Sequence, residues 1–168
     1  MSCTVRLRRA EDLDSLADIL LRVHEQDGYP VEGVADPTGW LRHPRALASW
    51  TAVVDGIPIG QITLTAADPA DDAAQIWTER TGRQPSDLAI VVRLFVDPEH
   101  RTVGAGRMLM TAALDHASSI GRSVALDVMA KDRGAIRLYE RLGGQRLGET
   151  VHFYGTDSVE PSLVFAFW

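Results

Sequence analysis

Disulfide chemistry is missing from this chain, because Cys3 is the only cysteine among its 168 residues. No intrachain bridge can form, and a lone terminal thiol is more often incidental than reactive. Long hydrophobic runs are absent too: none approaches the roughly 20 residues that span a bilayer, and the N-terminus lacks the basic-then-apolar pattern of a signal peptide. The expected compartment is therefore the cytoplasm, with no membrane partner. Positive charge is scarce as well. The formal net charge is −6, which removes the basic stripe that a nucleic-acid backbone needs while leaving small cationic ligands welcome. There is no internal repeat and no low-complexity segment. What the chain does have is 45 % hydrophobic residues, enough for one sizeable core and too little for two. A single domain over residues 1–168 is the expectation.

Periodicity supplies the elements. Thr4 to Arg8 alternates as a strand, and Leu13, Leu16, Ala17 and Leu20 recur at helical spacing. A long connection from Gln26 to Thr38, punctuated by Gly28-Tyr29-Pro30 and Asp36-Pro37, leads to a short helix near Trp40. Trp50 to Val54 and Ile57 to Thr65 flank Asp55-Gly56, the strongest hairpin signal in the chain. Asp68 to Arg80 reads either as a short helix or as an inserted loop. Leu88 to Val96 is an almost continuous apolar run broken by Arg93, as expected of a central strand. A helix on the stripe Ala105, Met108, Leu109, Ala112, Ala113 and Ala117 comes next, then a strand from Ser123 to Val128 and a helix from Arg133 to Leu142. Two strands near 145–154 and 162–168 finish the chain. This order argues for an α/β fold, a mixed sheet with helices on both faces.

One segment carries chemistry. After Val96 the chain passes through Asp97-Pro98-Glu99-His100-Arg101 to Gly104 and Gly106 and straight into a helix. Glycine lets main chain approach a ligand closely, and the unpaired amides of a first helical turn present about half a positive charge. A pyrophosphate suits such a place, although glycine at a strand-to-helix turn is usually only a tight turn.

Together with the following strand and Ala135-Ile136-Arg137-Leu138-Tyr139-Glu140-Arg141-Leu142-Gly143, this segment resembles the GNAT superfamily of N-acetyltransferases in order, spacing and residue type. The resemblance is specific from Leu88 to Gly143 and compatible elsewhere. It implies a mostly antiparallel central sheet of about seven strands flanked by helices. It also implies acetyl-CoA as acyl donor, no metal, and a small-molecule or peptide amine as acceptor. Leu94, Phe95 and Val96 would hold the pantetheine arm through main-chain groups. Arg101, Thr102, Val103, Gly104, Ala105, Gly106 and Arg107 would hold the pyrophosphate. Three departures stand out, the first being Thr102, which stands where a second basic residue or a glycine is common and whose hydroxyl can still donate to a phosphate. Asp132, placed among the cofactor-binding residues, replaces a common asparagine and reads also as a helix N-cap. Gly144 stands where an aromatic residue usually follows the glycine.

Amide formation from a thioester needs a neutral amine, a holder for the developing oxyanion and a proton for the departing thiolate. Tyr139 falls two helical turns after Asp132, on the same face. It resembles the family's general acid, since a phenol titrating near 10 stays protonated while a thiol near 8.5 leaves. A core-facing aromatic with a satisfied hydroxyl is the plainer reading. Asp127, between Leu126 and Val128, is the first candidate for the base, with a structural hydrogen bond or ion pair as its alternative. Some relatives place the base earlier, where this chain has Ile90. A main-chain amide around Phe95 and Val96 is the simplest oxyanion holder. His100 reads as solvated or phosphate-facing.

The acceptor site is expected from the first connection and the later hairpin. Glu25, Asp27, Glu32 and Asp36, with Tyr29 and Trp40 as flat walls, suggest a cationic amine. Arg93 suggests instead an acidic acceptor, and the residues do not rank the two. Other classes of function are an acyl-CoA-binding or regulatory module that has lost catalysis and, last, another kind of nucleotide-binding α/β protein. The late strands leave room for a homodimer, by analogy with relatives.

Overall fold

The computed structural model describes residues 2–168. Its strands are β1 Cys3–Leu7, β2 Ala46–Val54, β3 Ile57–Ala66, β4 Leu88–Val96, β5 Ser123–Met129, β6 Gln145–Tyr154 and β7 Ser158–Phe167. Its α-helices are α1 Leu13–Asp27, α2 Pro37–Leu41, α3 Asp72–Thr81, α4 Ala105–Ser119 and α5 Arg133–Arg141. The strands form one seven-stranded mixed sheet in the order β1-β2-β3-β4-β5-β7-β6. β4 and β5 run parallel, whereas the β1–β2, β2–β3, β5–β7 and β6–β7 pairings are antiparallel.

Most elements lie where periodicity puts them. The Asp55-Gly56 hairpin forms with φ of 51° and 79°, the doubly positive geometry of a primed turn matched to strand twist. The segment after Asp68 is a helix, α3, its buried side made by Ala73, Ala74 and Trp77. Small residues around one tryptophan give weak amphipathicity, which is why its sequence leaves helix and loop unresolved. β7 begins four residues before the expected Ser162, because it continues pairing with β6 out to Tyr154↔Ser158 on a ribbon whose apolar residues Val151, Phe153 and Val159 are exposed.

The chain divides into two compact units, Met1–Thr65 with Val92–Ala113 and Ala66–Val91 with Leu114–Trp168. In the first unit, α1 packs Leu13, Leu16, Ala17, Ile19, Leu20 and Val23 with Leu41 and Phe95, and Tyr29, Val34 and Trp40 close over them. A polar lattice ties this unit together. Arg6 grips Asp12 through two hydrogen bonds of 2.7 and 2.8 Å, and the buried carboxylate also accepts from the Arg9 amide and Thr51. The Arg6 hydrogen bond leads the causes that hold the Asp12 carboxyl down at about 2.

The second unit is built on aromatic packing. Trp77 and Phe165 are fully buried. The Tyr139 ring meets Phe165 at 6.0 Å and Phe167 at 6.4 Å between centroids, and Arg83 lies over Trp77 at 5.1 Å.

Candidate active site

In the first unit the candidate residues follow one another along the main chain. Leu94 and Val96 are half-buried and Phe95 is buried. The strand ends at Val96, and the next residue, Asp97, donates its amide to Ile59 O at 2.7 Å. The Asp97 side chain, which sequence reasoning takes only as a stop signal, organises the turn that follows. Its carboxylate accepts from Arg22 at 2.8 Å and from the Glu99 amide at 3.2 Å, with His100 Nδ1 3.5 Å away. Desolvation works to raise this carboxyl, but the Arg22 hydrogen bond, the Glu99 amide and the charges of Arg22 and His100 together bring it below its ordinary value. His100 is thus turned toward Asp97 and half-buried rather than solvated.

Past this anchor the chain is open. Arg101, Thr102, Gly104 and Arg107 are exposed, Val103 and Gly106 half-buried, and only Ala105 is buried. Gly104 has φ +79°, and a Cβ built on it would meet nothing within 4 Å. The backbone therefore needs glycine for its conformation, while the space beside it is empty of protein. α4 starts at the next residue and runs for 15 residues, so its first-turn amides face this opening with a full macrodipole behind them. Arg101 ion-pairs with Asp27 at the end of α1. That contact occupies one of the four acidic residues of the connection. A second, Asp36, caps α2 by accepting from the Gly39 amide.

Arg93 sits in the left-handed region, φ +57°, in the middle of β4. A non-glycine residue there is uncommon and costs on the order of 1 kcal/mol or more. The recorded β4–β5 pairing covers Leu88↔Ser123, Ala89↔Val124 and Ile90↔Ala125, all before this residue. Gln61 Nε2 holds the distorted backbone by donating to Arg93 O at 2.5 Å.

In the second unit the candidates are side chains, and the strand register sorts them. Asp127 pairs with Val164, and Val164 pairs with Gly148. Paired residues share a face. Gly148 lies against Ile76 of α3, and Thr150 donates to Asp72 at the start of α3, so Asp127 belongs to the face that α3 covers. Tyr139 packs on Phe165 and Phe167, which alternate with Val164 and so lie on the other face. The structure thus does not bring Asp127 and Tyr139 onto one surface.

Asp127 is exposed by area yet sits in crowded surroundings. Desolvation raises its carboxyl; the charge of His152 opposes the rise, and Asp72 and Asp71 add to it. Its hydrogen bond is to its own main chain, and its opposite charge is His152. Asp132 caps α5 by accepting from the Ala135 amide at 3.1 Å. Gly144 also finds an explanation. A Cβ there would stand 2.8 Å from Phe167 Cζ and 2.9 Å from Tyr139 O. The aromatic group of this corner comes from β7 instead of from position 144.

Neither of two surface recesses is lined by the glycine turn, Asp127 or Tyr139. One of ≈ 390 Å³ in the second unit is lined by Ser118, Arg122, Leu142, Phe167 and Trp168 among others. Another of ≈ 300 Å³ in the first unit is lined by Arg22, Glu25, Gln26 and Asp97–Glu99. No described group of three or more His, Cys, Asp or Glu side chains has the grouping of a metal site, and no described helix is long and apolar enough to cross a membrane.

Comparisons with known proteins agree with this architecture. The chain is 32 % identical over 136 residues to a mycothiol acetyltransferase of Thermomonospora curvata, an alignment covering 70 % of this chain and 43 % of that protein. A second mycothiol acetyltransferase, from Gordonia bronchialis, is 32 % identical over 121 residues, covering 71 % of this chain and 34 % of the relative. The chain thus spans less than half the length of these relatives. Among solved structures, NAA60 of Arabidopsis thaliana in complex with a bisubstrate analogue superposes with a TM-score of 0.76 at 21 % identity, over 99 % of this chain and 97 % of that one. The Acetyltransferase (GNAT) family profile matches residues 13–144. That span includes the glycine turn, Asp127 and Tyr139, and on this ground the chain belongs to the GNAT acetyltransferase family.

Proposed function

We propose that this protein is an N-acetyltransferase that moves an acetyl group from acetyl-CoA to a primary amine, directly and within a ternary complex. The observation that carries the reading is the open main-chain run from Arg101 to Arg107 at the head of a 15-residue helix, with empty space beside Gly104. These groups fit a pyrophosphate, since they offer amides, a helix N-terminus and two exposed arginines, Arg101 and Arg107. Main-chain groups of Leu94, Phe95 and Val96 take the pantetheine arm, and an amide of Phe95 or Val96 holds the developing oxyanion. Acetyl-CoA, when bound, supplies an activated thioester.

In the second unit, Tyr139 donates a proton to the departing thiolate; Asp127, the candidate base, lies on the opposite face of the strand layer and would reach the amine only through intervening groups. Asp127, raised by desolvation, is a better base than an ordinary carboxylate. Asp132 keeps its N-cap role and borders the cofactor. Gly144 and Asp132 give little support to a module that has lost catalysis, since Phe167 fills one position and an aspartate caps as an asparagine does.

Calorimetric titration of acetyl-CoA into the wild-type protein and a Gly104→Glu variant, followed by thiol release across an amine library, tests the proposal. The expected results are micromolar binding lost in the variant and turnover of at least one amine. A folded wild-type protein that does not bind acetyl-CoA would sink the reading. Binding without turnover of any amine would support the non-catalytic alternative.

A further inference from the structure

Two arginines of the first unit have no carboxylate in direct contact, Asp12 acting on Arg8 and Glu32 on Arg93 only through space. Arg8 follows β1 and Arg93 lies within β4, and both side chains are half-buried. Arg8 Nη1 donates to Leu41 O and to Gln61 Oε1, each at 2.8 Å. Arg93 Nη1 donates to Trp40 O, and its guanidinium lies over the Trp40 ring, 4.8 Å from the centroid. The two side chains thus converge on adjacent carbonyls at the end of α2, and Gln61, fully buried, links them by accepting from Arg8 and donating to Arg93 O.

Every protein partner of these guanidinium groups is neutral. Among the described residues neither forms an ion pair with a carboxylate, and none of their remaining nitrogens is both buried and unsatisfied. Asp12, the nearby buried acid, is gripped by Arg6. Glu32 and Tyr29 act on Arg93 only through space, and Glu32 is exposed. Arg42 adds a third positive charge near Arg8.

Capping α2 accounts for one donor per carbonyl. It does not account for two half-buried cations held side by side, which repel each other and lose hydration. The left-handed backbone at Arg93 falls where β4 has left its pairing with β5, and it sets the direction in which this side chain leaves the strand. A planar fork backed by an aromatic ring, with unused donors open to solvent, has the chemistry of carboxylate recognition.

We propose that Arg8 and Arg93 form a carboxylate-binding subsite, so that the acceptor is an amino acid whose carboxylate they hold while its amine is acetylated. This rests on the N-acetyltransferase reading and adds the acceptor's class. Of the four acids suggesting a cationic acceptor, Asp27 pairs with Arg101 and Asp36 with the α2 amide in the free protein, which favours the acidic acceptor.

The test compares each standard amino acid with its primary carboxamide, first as acceptor with acetyl-CoA and then as ligand in calorimetry. It uses the wild-type full chain and the variants Arg93→Gln, Arg93→Lys and Arg8→Gln. For at least one amino acid the carboxamide is expected to show a KM on the order of 10- to 100-fold higher at similar kcat, with a matching loss of affinity in calorimetry. Arg93→Gln should erase that difference by weakening the acid and not the amide. Arg93→Lys should restore part of it, and acetyl-CoA affinity should stay unchanged in both variants. Arg8→Gln provides the same reading if Arg93→Gln fails to fold. Equal behaviour of acids and amides, or no amino acid bound or acetylated, would overturn the subsite. Failure to bind acetyl-CoA overturns the transferase reading instead, and the calorimetric comparison still reports on the arginines.

Discussion

The two units carry their functional groups in different materials. In the first, the proposed pyrophosphate cradle is main chain, a continuous stretch through Gly104 into α4. In the second, the proposed chemistry belongs to the side chains of Asp127 and Tyr139, on opposite faces of a layer formed by β5, β7 and β6. The supports differ in kind as well. The first unit leans on charged hydrogen bonds such as Arg6 with Asp12 and Arg22 with Asp97. The second leans on the contact of Tyr139 with Phe165 and Phe167. A site of amides tolerates changes of neighbouring side chains and fails when its backbone conformation is denied. A site of two side chains fails when either is shortened or displaced.

The sharpest way to break this comparison is kinetic. Tyr139→Phe keeps the ring packing and removes the proton, so turnover should fall about 10²- to 10⁴-fold while acetyl-CoA affinity, measured by calorimetry, stays unchanged. An equal loss of affinity would mean that the hydroxyl serves the cofactor and not the chemistry. Asp127→Asn should remove the limb of the pH–rate profile that rises as this carboxyl ionises, a limb placed above the ordinary carboxylate range because desolvation raises the group. A limb that survives in the variant belongs to another base.

A smaller effect probes the packing of the second unit. Gly144→Ala puts a methyl 2.8 Å from Phe167 Cζ and 2.9 Å from the carbonyl of Tyr139. It should cost about 1–3 kcal/mol in denaturant unfolding and lower turnover by shifting Tyr139. Unchanged stability would show that the Phe167 ring yields without strain.

The first unit predicts a pH signature. The Asp12 carboxyl lies at about 2 in the folded state and near 3.9 in an unfolded chain. Its ionised form is favoured by folding, so its stabilisation is complete above about pH 4 and is lost as pH falls through 2. The pair is worth on the order of 2 kcal/mol at neutral pH, and Asp12→Asn should remove about that much while flattening the acid limb of stability against pH. A variant whose acid limb matches the wild type would place the titration elsewhere.

The contrast explains what was legible in the residues. A strand, a turn with Gly104 and an amphipathic helix are local patterns, so the β4-to-α4 segment and its amide cradle could be read in order. Asp127 and Tyr139 could be named from spacing and family resemblance, but their division between two faces depends on the pairing of Asp127 with Val164, 37 positions along the chain. The partner of Gly144 was equally hidden, because Phe167 reaches it from the last strand. Asp97 looked like punctuation because its value lies in Arg22, which α1 supplies.

By itself, the sequence determined most of the elements, the family and the residue types available for acyl transfer, since helical and strand periodicities and a glycine turn act over short stretches of chain. Tertiary structure alone decided which charges remain unpaired. Asp27 and Asp36 are taken by Arg101 and the α2 amide, and Arg8 and Arg93 are gathered onto the carbonyls of Trp40 and Leu41. The physical reason is that a charge is neutralised by whatever lies within a few ångströms of it, and chain separation places no limit on that neighbour.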